Sequence, residues 1–438
     1  MSNNKLELAN WASSFALKNG ASQVKVNVSR QHEVNIEIRD KKTDKLLEST
    51  SNSLGIDIYV DNKYSGQSTN DLRKPELEKF ILDAIAATKY LAKDEFRMLP
   101  DPKYYKKLAV DLNVNDQNYA TIDPAGKIKI AETIEGAALS QSDKIISVTA
   151  YFSDGKYESA TVQSNGFEGQ DESTFYSIGA SVSVKDPNGS RPEDWKGVNS
   201  RFYKTLPTPE AIGIEAAQNT LKRIGQKKVA SGKYDLIIQN EVAGRAVGML
   251  INPMNGSSIH QKRSFLDKKL GEKLFSDKLT ITDNPLLIGG LGSQLYDGDG
   301  IASQKRTMIE NGVLKNYYID YYYGKKLNME PTTGYATNLL LTIGNTSLLE
   351  LIKKTEKGIL VNGFNGGNSN STTGDFSYGV QGMLIENGQL TQPVNEMIVS
   401  GNALTFWSAL ADLGNDPYPY SSWQSPSMLF KDIDFGGL

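Results

Sequence analysis

One six-residue segment, Asn240-Glu241-Val242-Ala243-Gly244-Arg245, has the spacing of a zinc-hydrolase motif without its ligands. Zinc hydrolysis draws three protein ligands from His, Cys, Asp and Glu and leaves a fourth position for water. A His-Glu-x-x-x-His pattern would supply two imidazoles and a base from the turn between a strand and a helix. Here the first ligand position is Asn240, a neutral and weak oxygen donor. The second is Arg245, whose guanidinium cannot deprotonate and would set a fixed cation beside any metal. Only Glu241 keeps the chemistry of the pattern, and without a metal it has no polarised water to act on. Residues five apart on an ideal helix lie about 140° apart, so the spacing needs a local distortion, which Gly244 would ease. Glu241 also has a structural reading, because an acid in a helix's first turn complements the dipole.

Other reactive residues are sparse. The two histidines, His32 and His260, fall in different parts of the chain, and there is no cysteine, so thiolate ligands and disulfides are excluded. His32 sits between Gln31 and Glu33 at a strand boundary; His260 lies in a polar stretch close to the degenerate motif and is a candidate to line the same cleft. Tyr296-Asp297-Gly298-Asp299-Gly300 invites a calcium reading but lacks the third oxygen ligand and distal glutamate of an EF-hand loop, which favours a turn. Gly289-Gly290-Leu291-Gly292 lacks the context of a phosphate loop. No Gly-x-Ser-x-Gly elbow occurs. Asn362 to Asp375 is polar and glycine-rich, which reads as a long loop with a binding role. The Tyr317–Tyr323 cluster reads as amphipathic packing.

The elements that must position these residues follow from periodicity. Tyr234 to Gln239 reads as a buried strand. Val242, Ala243, Ala246, Val247, Leu250 and Ile251 then have helical spacing, with Asn240 as the N-cap and Asn252-Pro253 as the stop. Upstream, a helix is expected over residues 5–19, ended by Gly20, then strands at Val24–Val28, Val34–Ile38 and Ile56–Val60, then a helix opened by Pro75. Further helices are expected at 124–139, after Thr208-Pro209 and at 402–412, and strands at Ile145–Phe152 and Phe175–Val184, with Asp154-Gly155 as a hairpin turn. Two similar Asn-Gly hairpins occur at Asn311-Gly312 and Asn387-Gly388. The expected class is α+β: a small N-terminal helix–strand unit (1–98), a middle α/β segment (103–225) and a large strand-rich C-terminal domain (229–438).

With 438 residues the chain is too long for a single core. Net charge of -3 leaves no overall electrostatic footprint for nucleic acid. The N-terminus has no apolar signal region and no run of 18 apolar residues occurs, so a cytoplasmic location without membrane contact is expected.

The degenerate motif resembles the TldD/PmbA family, and within it the PmbA (TldE) branch, in which the zinc motif has decayed. The resemblance continues in order through Ser264-Phe265-Leu266, Leu279-Thr280-Ile281, Tyr296 to Gly300, Lys305-Arg306, Thr373-Gly374-Asp375-Phe376-Ser377, Ile385 to Gly388, Pro393-Val394-Asn395-Glu396 and Leu413-Gly414-Asn415-Asp416. It is densest from about residue 233 onward. It implies a metallopeptidase-like C-terminal domain with Asn240, Glu241 and Arg245 vestigial, no zinc or other cofactor in this chain, and zinc in a TldD-like partner. It also makes Asp297, Gly374, Asp375, Phe376 and Ser377 candidates, with His260, for a peptide-binding cleft. The implied function is that of a TldE/PmbA-like subunit acting on unfolded or small peptides, in peptide maturation and antitoxin turnover. The implied partner is a TldD-like homologue, with a homodimer when the chain is alone. The family's older name, modulator of DNA gyrase, suits an indirect effect better than direct DNA contact. The alternatives are a stand-alone peptide-binding scaffold and a self-sufficient hydrolase with an unrecognised site.

Overall fold

The computed structural model describes residues 2–438, with side chains from Asn4 onward. Its first half is built on one antiparallel sheet of six long strands. These are β1 (Gln23–Arg39), β2 (Lys42–Val60), β3 (Lys63–Thr69), β4 (Ile145–Gln163), β5 (Phe167–Val184) and β6 (Glu193–Ser200), in the order β3-β2-β1-β4-β5-β6. Helices α1 (Ser2–Lys18) and α2 (Lys74–Thr88) pack on one stretch of this sheet, and α3 (Pro124–Leu139) and α4 (Pro209–Leu221) on the next. The segments on either side of Leu99–Pro102 therefore share a sheet, with β1 pairing β4 from Lys25 to Arg39, while the covered face divides into two apolar clusters.

Local chemistry sets most helix ends. Asp123 caps α3 by accepting from the Gly126 N–H, and Thr208 caps α4 by accepting from Ala211, each just before a proline that starts the helix. Two strand expectations change. Val24–Val28 and Val34–Ile38 are one strand, because the buried side chains keep the same alternation from Val24 to Ile38. Asp154-Gly155 is no turn but the middle of β4, opposite Val34 and Glu33. Asp154 sits on the helix-covered face, where Lys127 of α3 pairs with it at 2.5 Å and the Tyr119 hydroxyl donates to it at 2.7 Å.

The C-terminal half holds the remaining strands: β7 (Gly232–Ile238), β8 (Ile281–Asp283), β9 (Arg306–Glu310), β10 (Val313–Leu314), β11 (Leu339–Leu341), β12 (Lys357–Ser369), β13 (Asp375–Glu386), β14 (Gln389–Asn402), β15 (Leu410–Leu413), β16 (Trp423–Gln424) and β17 (Met428–Gly436). Among them run helices α5 (Gly244–Ile251), α6 (Gly256–His260), α7 (Tyr321–Leu327), α8 (Leu348–Lys353) and α9 (Ala403–Ser408). Strands β14-β13-β12-β7-β17 form a curved sheet whose ends meet, since Ile398 and Val399 of β14 pair with Gly436 and Phe435 of β17. Closure removes two exposed edges. The apolar face of α5 (Ala246, Val247, Leu250) fills this core with Leu236, Val361, Trp407 and Phe430. A smaller sheet, β10-β9-β8-β11-β16, packs beside it.

Both Asn-Gly hairpins form, with positive φ at Asn311 (48°), Gly312 (79°), Asn387 (50°) and Gly388 (74°), the signature of a type I′ turn. Tyr317, Tyr318 and Tyr321 are buried packing residues. The expected 402–412 helix is shorter, because the chain re-enters the sheet as β15 straight after α9. The stretch from Asn362 is mostly strand, not loop: β12 runs to Ser369 and pairs with β13 as an exposed hairpin arm.

Candidate functional site

Strand β7 delivers the chain to residues 239–243, which coil into successive tight turns (Val242 N–H to Gln239 C=O, 3.1 Å; Ala243 N–H to Asn240 C=O, 3.3 Å) before α5 begins at Gly244. The helix thus starts three residues later than expected, and Asn240 is not its cap. Instead the Asn240 amide donates to the Asp416 carbonyl at 2.7 Å, and its backbone N–H to Ser427 Oγ at 3.2 Å. Asp416 in turn accepts from the Ser427 hydroxyl at 2.7 Å. Asn240 therefore ties the turn to the chain entering β17.

Glu241 lies before the helix's first turn, so the dipole reading gives way to an ion pair. The Lys196 ammonium of β6 donates to Glu241 at 2.7 Å and lies 2.8 Å from Glu215 of α4. Lys196 is 5% exposed. Burial alone would lower its pKa, but the bonds to Glu215 and Glu241 outweigh it and hold the ammonium above the usual lysine range. The neighbouring Asp194 carboxyl is raised, first by burial and also by the charge of Glu241, against the Trp195 N–H that bonds to it.

Arg245 projects from the start of α5, donates to the Gly367 carbonyl at 2.7 Å and stacks its guanidinium 4.8 Å from the centre of the Tyr378 ring. Asp194, Glu241 and Arg245 border a cleft of about 1220 Å³ between the two halves of the chain. Its floor on the sheet side is the face of β4–β6 that carries no helices, where the Tyr151 ring lies against Gly179 and Gly197; a Cβ at either glycine would collide with it. Trp195, Tyr418, Tyr420, Asn362 and Gln381 complete the walls.

The other candidates lie elsewhere. His260 is an exposed residue at the end of α6, its ring 5.8 Å from Tyr323. Asp297 is buried in its turn, accepting from the N–H groups of Asp299 (2.9 Å) and Ile301 (3.0 Å), beside a separate cavity of about 580 Å³ near Tyr157 and Asp171. Its carboxyl is pushed up to about 7 by burial and by the charge of Asp299. Gly374 (φ 84°) makes the tip of the β12–β13 arm. Asp375 is exposed and accepts from Asn402 and from Thr373, which lowers its pKa. Phe376 belongs to the core and Ser377 is exposed. None of these six borders the cleft that holds Glu241 and Arg245. The one sequence signal for Lys196 is its alternation with Val198, which puts a lysine in the buried phase of β6.

Residues 231–437 match the PmbA/TldA metallopeptidase C-terminal domain, and residues 118–224 the PmbA/TldA metallopeptidase central domain. Over the full length of both chains, the protein is 42% identical to a proposed modulator of DNA gyrase from Bacteroides thetaiotaomicron, with a TM-score of 0.97. The chain belongs to the PmbA/TldD family. It is 28% identical to the metalloprotease PmbA of Escherichia coli O157:H7, covering 97% of this chain and 95% of the relative. TldE from Thermococcus kodakarensis shares the fold, with a TM-score of 0.87 at 18% identity over 98% of this chain and 100% of that one.

The PmbA/TldD family name implies a catalytic metal, and the motif residues of this member do not fit one. The Asn240 amide is spent on a carbonyl, Glu241 holds an ammonium, and Arg245 adds a second cation. Among the described residues no group of three or more His, Asp or Glu side chains is placed to hold a metal ion. No helix of the described residues is long and apolar enough to cross a membrane.

Proposed function

We propose that this chain is a PmbA/TldE-like, non-catalytic subunit that pairs in the cytoplasm with a zinc-bearing TldD-like homologue to form a peptidase for unfolded or small peptides. The observation that carries the reading is the Lys196–Glu241 pair: the one surviving acid of the motif is engaged by a lysine, not poised on a metal-bound water. Membership of a metallopeptidase family supports the peptide substrate class, and family members named TldD and PmbA support a two-component enzyme. The scaffold and its cleft persist where the ligands have gone, so binding outlives chemistry. Peptide maturation and antitoxin turnover are the physiological roles that go with this reading.

The test is reconstitution. The isolated chain should hold no stoichiometric zinc after metal-free preparation and reloading, and should not hydrolyse unfolded peptides. Co-purification from native cells should recover a homologue with an intact His-Glu-x-x-x-His motif, and the mixture should be active. Glu241→Gln should leave the turnover of the folded complex within about threefold, whereas the same change in the partner's motif should abolish it. A hundredfold loss on Glu241→Gln, about 2.7 kcal/mol of transition-state stabilisation, would mean that this subunit holds a working site.

A second reading is a stand-alone peptide-binding protein. Strand β7 covers the edge of β12 only from Gly358 to Val361, and Asn362 to Asn365, just beyond, border the cleft. That uncovered edge suits strand addition by an extended peptide. Peptide binding by the chain with no partner recovered from cells would favour it.

A further inference from the structure

The charges around the cleft do not balance. Four guanidinium groups border it, those of Arg191, Arg201, Arg223 and Arg245, and none forms an ion pair among the described residues. Arg201 donates only to the backbone carbonyls of Gly290, Thr174 and Leu291. Arg245 donates to the Gly367 carbonyl, and Arg223 to the Gln226 side chain and the Glu193 carbonyl. The acids of the same cleft are Glu193, Asp194 and Glu241. Glu241 is engaged by Lys196, whose ammonium it shares with Glu215. Asp194 bonds the Trp195 N–H and Gln381, and its charge is felt by Arg223. Exposed Glu193 also acts on Arg223, so Arg191, Arg201 and Arg245 have no ion-pair partner among the described residues.

The spacing is as informative as the sign. Arg191 lies just before β6 and Arg201 just after it. An eight-residue strand spans about 26 Å, the length of an extended peptide of similar size. Between them Trp195, 63% exposed, offers an aromatic surface toward the cleft, which Tyr418, its hydroxyl donating to the Gly197 carbonyl, and Tyr420 also line. Arg245 stands on the facing wall.

We propose that this cleft receives acidic, extended peptide segments, with Arg191, Arg201 and Arg245 taking carboxylates and Trp195 stacking on the side chains between them. The proposal rests on the peptide reading above and adds a charge preference to it. Guanidinium–carboxylate bonds are the stronger, charge-assisted kind, and their share of binding falls with salt. The carboxylates could come from Asp and Glu side chains or from a free C-terminus, and the chemistry at the arginines is the same.

Eight-residue unfolded peptides tested by fluorescence anisotropy on the purified chain would decide it. The set comprises an Asp/Glu-rich peptide with an amidated end, its Asn/Gln isostere with an amidated end, and that isostere as the free acid. The acidic peptide should bind at least about tenfold tighter than the neutral amide at low salt, with the gap narrowing as salt is raised. If the free acid of the isostere shares the gain, the C-terminal carboxylate is a sufficient source; if not, side chains supply the charge. Arg191→Gln with Arg245→Gln should shrink the gap to within about twofold while sparing the affinity for the neutral peptide. Binding should quench tryptophan fluorescence, and Trp195→Phe should remove the quench. Equal affinity for acidic and neutral peptides, a preference that survives the double arginine variant, or a quench that survives Trp195→Phe would overturn the charge preference and leave the peptide reading standing. Failure of every peptide to bind would overturn both.

Discussion

Lys196 Nζ lies 2.7 Å from Glu241 and 2.8 Å from Glu215, so one buried cation joins strand β6, helix α4 and the remnant motif. Glu241 comes from the C-terminal half, the other two from the first half. The motif's glutamate therefore has a structural duty that does not depend on a metal, and that duty ties the two halves of the chain together.

Removing the cation should be more costly than removing one acid. Lys196→Met leaves two carboxylates facing each other without a counter-charge, and the expected loss is about 2–4 kcal/mol. Glu241→Gln should cost less, about 1 kcal/mol, because Glu215 still holds the ammonium. In a double-mutant cycle the two changes should couple by about 1 kcal/mol or more. Urea unfolding followed by tryptophan fluorescence measures this, and strict additivity would show that the pair contributes no energy.

Asp297 should make stability depend on pH. Burial, then the charge of Asp299, raise its carboxyl from 3.8 to about 7 against the pull of the Ile301 and Asp299 N–H groups and of Lys25. Because the folded-state pKa lies above the unfolded one, the folded chain keeps a proton between about pH 4 and pH 7 that the unfolded chain releases, so stability falls as pH rises through that window. Asp297→Asn removes the titrating carboxyl. Relative to that variant, the natural chain should lose up to about 4 kcal/mol between pH 4 and pH 8. Urea midpoints of the two proteins across this range give the answer, and parallel profiles would contradict it.

The curved C-terminal sheet should be intolerant of a methyl group at Gly382. This residue pairs with Val361 on one side and Val394 on the other, and a Cβ there would overlap the Leu360 carbonyl. Gly382→Ala should destabilise by about 2 kcal/mol or more. Gly55→Ala, where a Cβ meets nothing within 4 Å, should stay within about 0.5 kcal/mol. Thermal melts of the two variants side by side distinguish steric clash from a general intolerance of alanine in strands.

Much of the frame could be read in the sequence because its signals are local. Asp123-Pro124 and Thr208-Pro209 mark helix starts within one turn, and Asn-Gly marks hairpins with its own backbone preference. The strand from Tyr234 and the helix that follows were visible in apolar spacing. What stayed hidden depends on partners far away in sequence. Asp154-Gly155 looks like a turn until Lys127 supplies the charge that lets an aspartate sit within a sheet. Asn240 looks like a helix cap until the Asp416 carbonyl claims its amide. The cleft follows the same rule. The motif points to Glu241 and Arg245, but Trp195 and Arg201 border the cleft only because β6, at the edge of the first sheet, faces the C-terminal half. Glycine and asparagine in residues 362–369 suggested a loop, whereas pairing with β13 overrides their weak strand preference.

The pairing of β1 with β4 sets a schedule for synthesis. The second edge of β1, from Lys25 to Arg39, has no neighbour until β4 emerges at residues 145–163. At ribosomal rates that interval is on the order of ten seconds. Throughout it the newborn hairpin of β1 and β2 presents a long row of open amide and carbonyl groups, a template for pairing with neighbouring nascent chains. The nascent chain's demand for chaperones should therefore peak before residue 163 is made, and truncations that end between the two strands should aggregate.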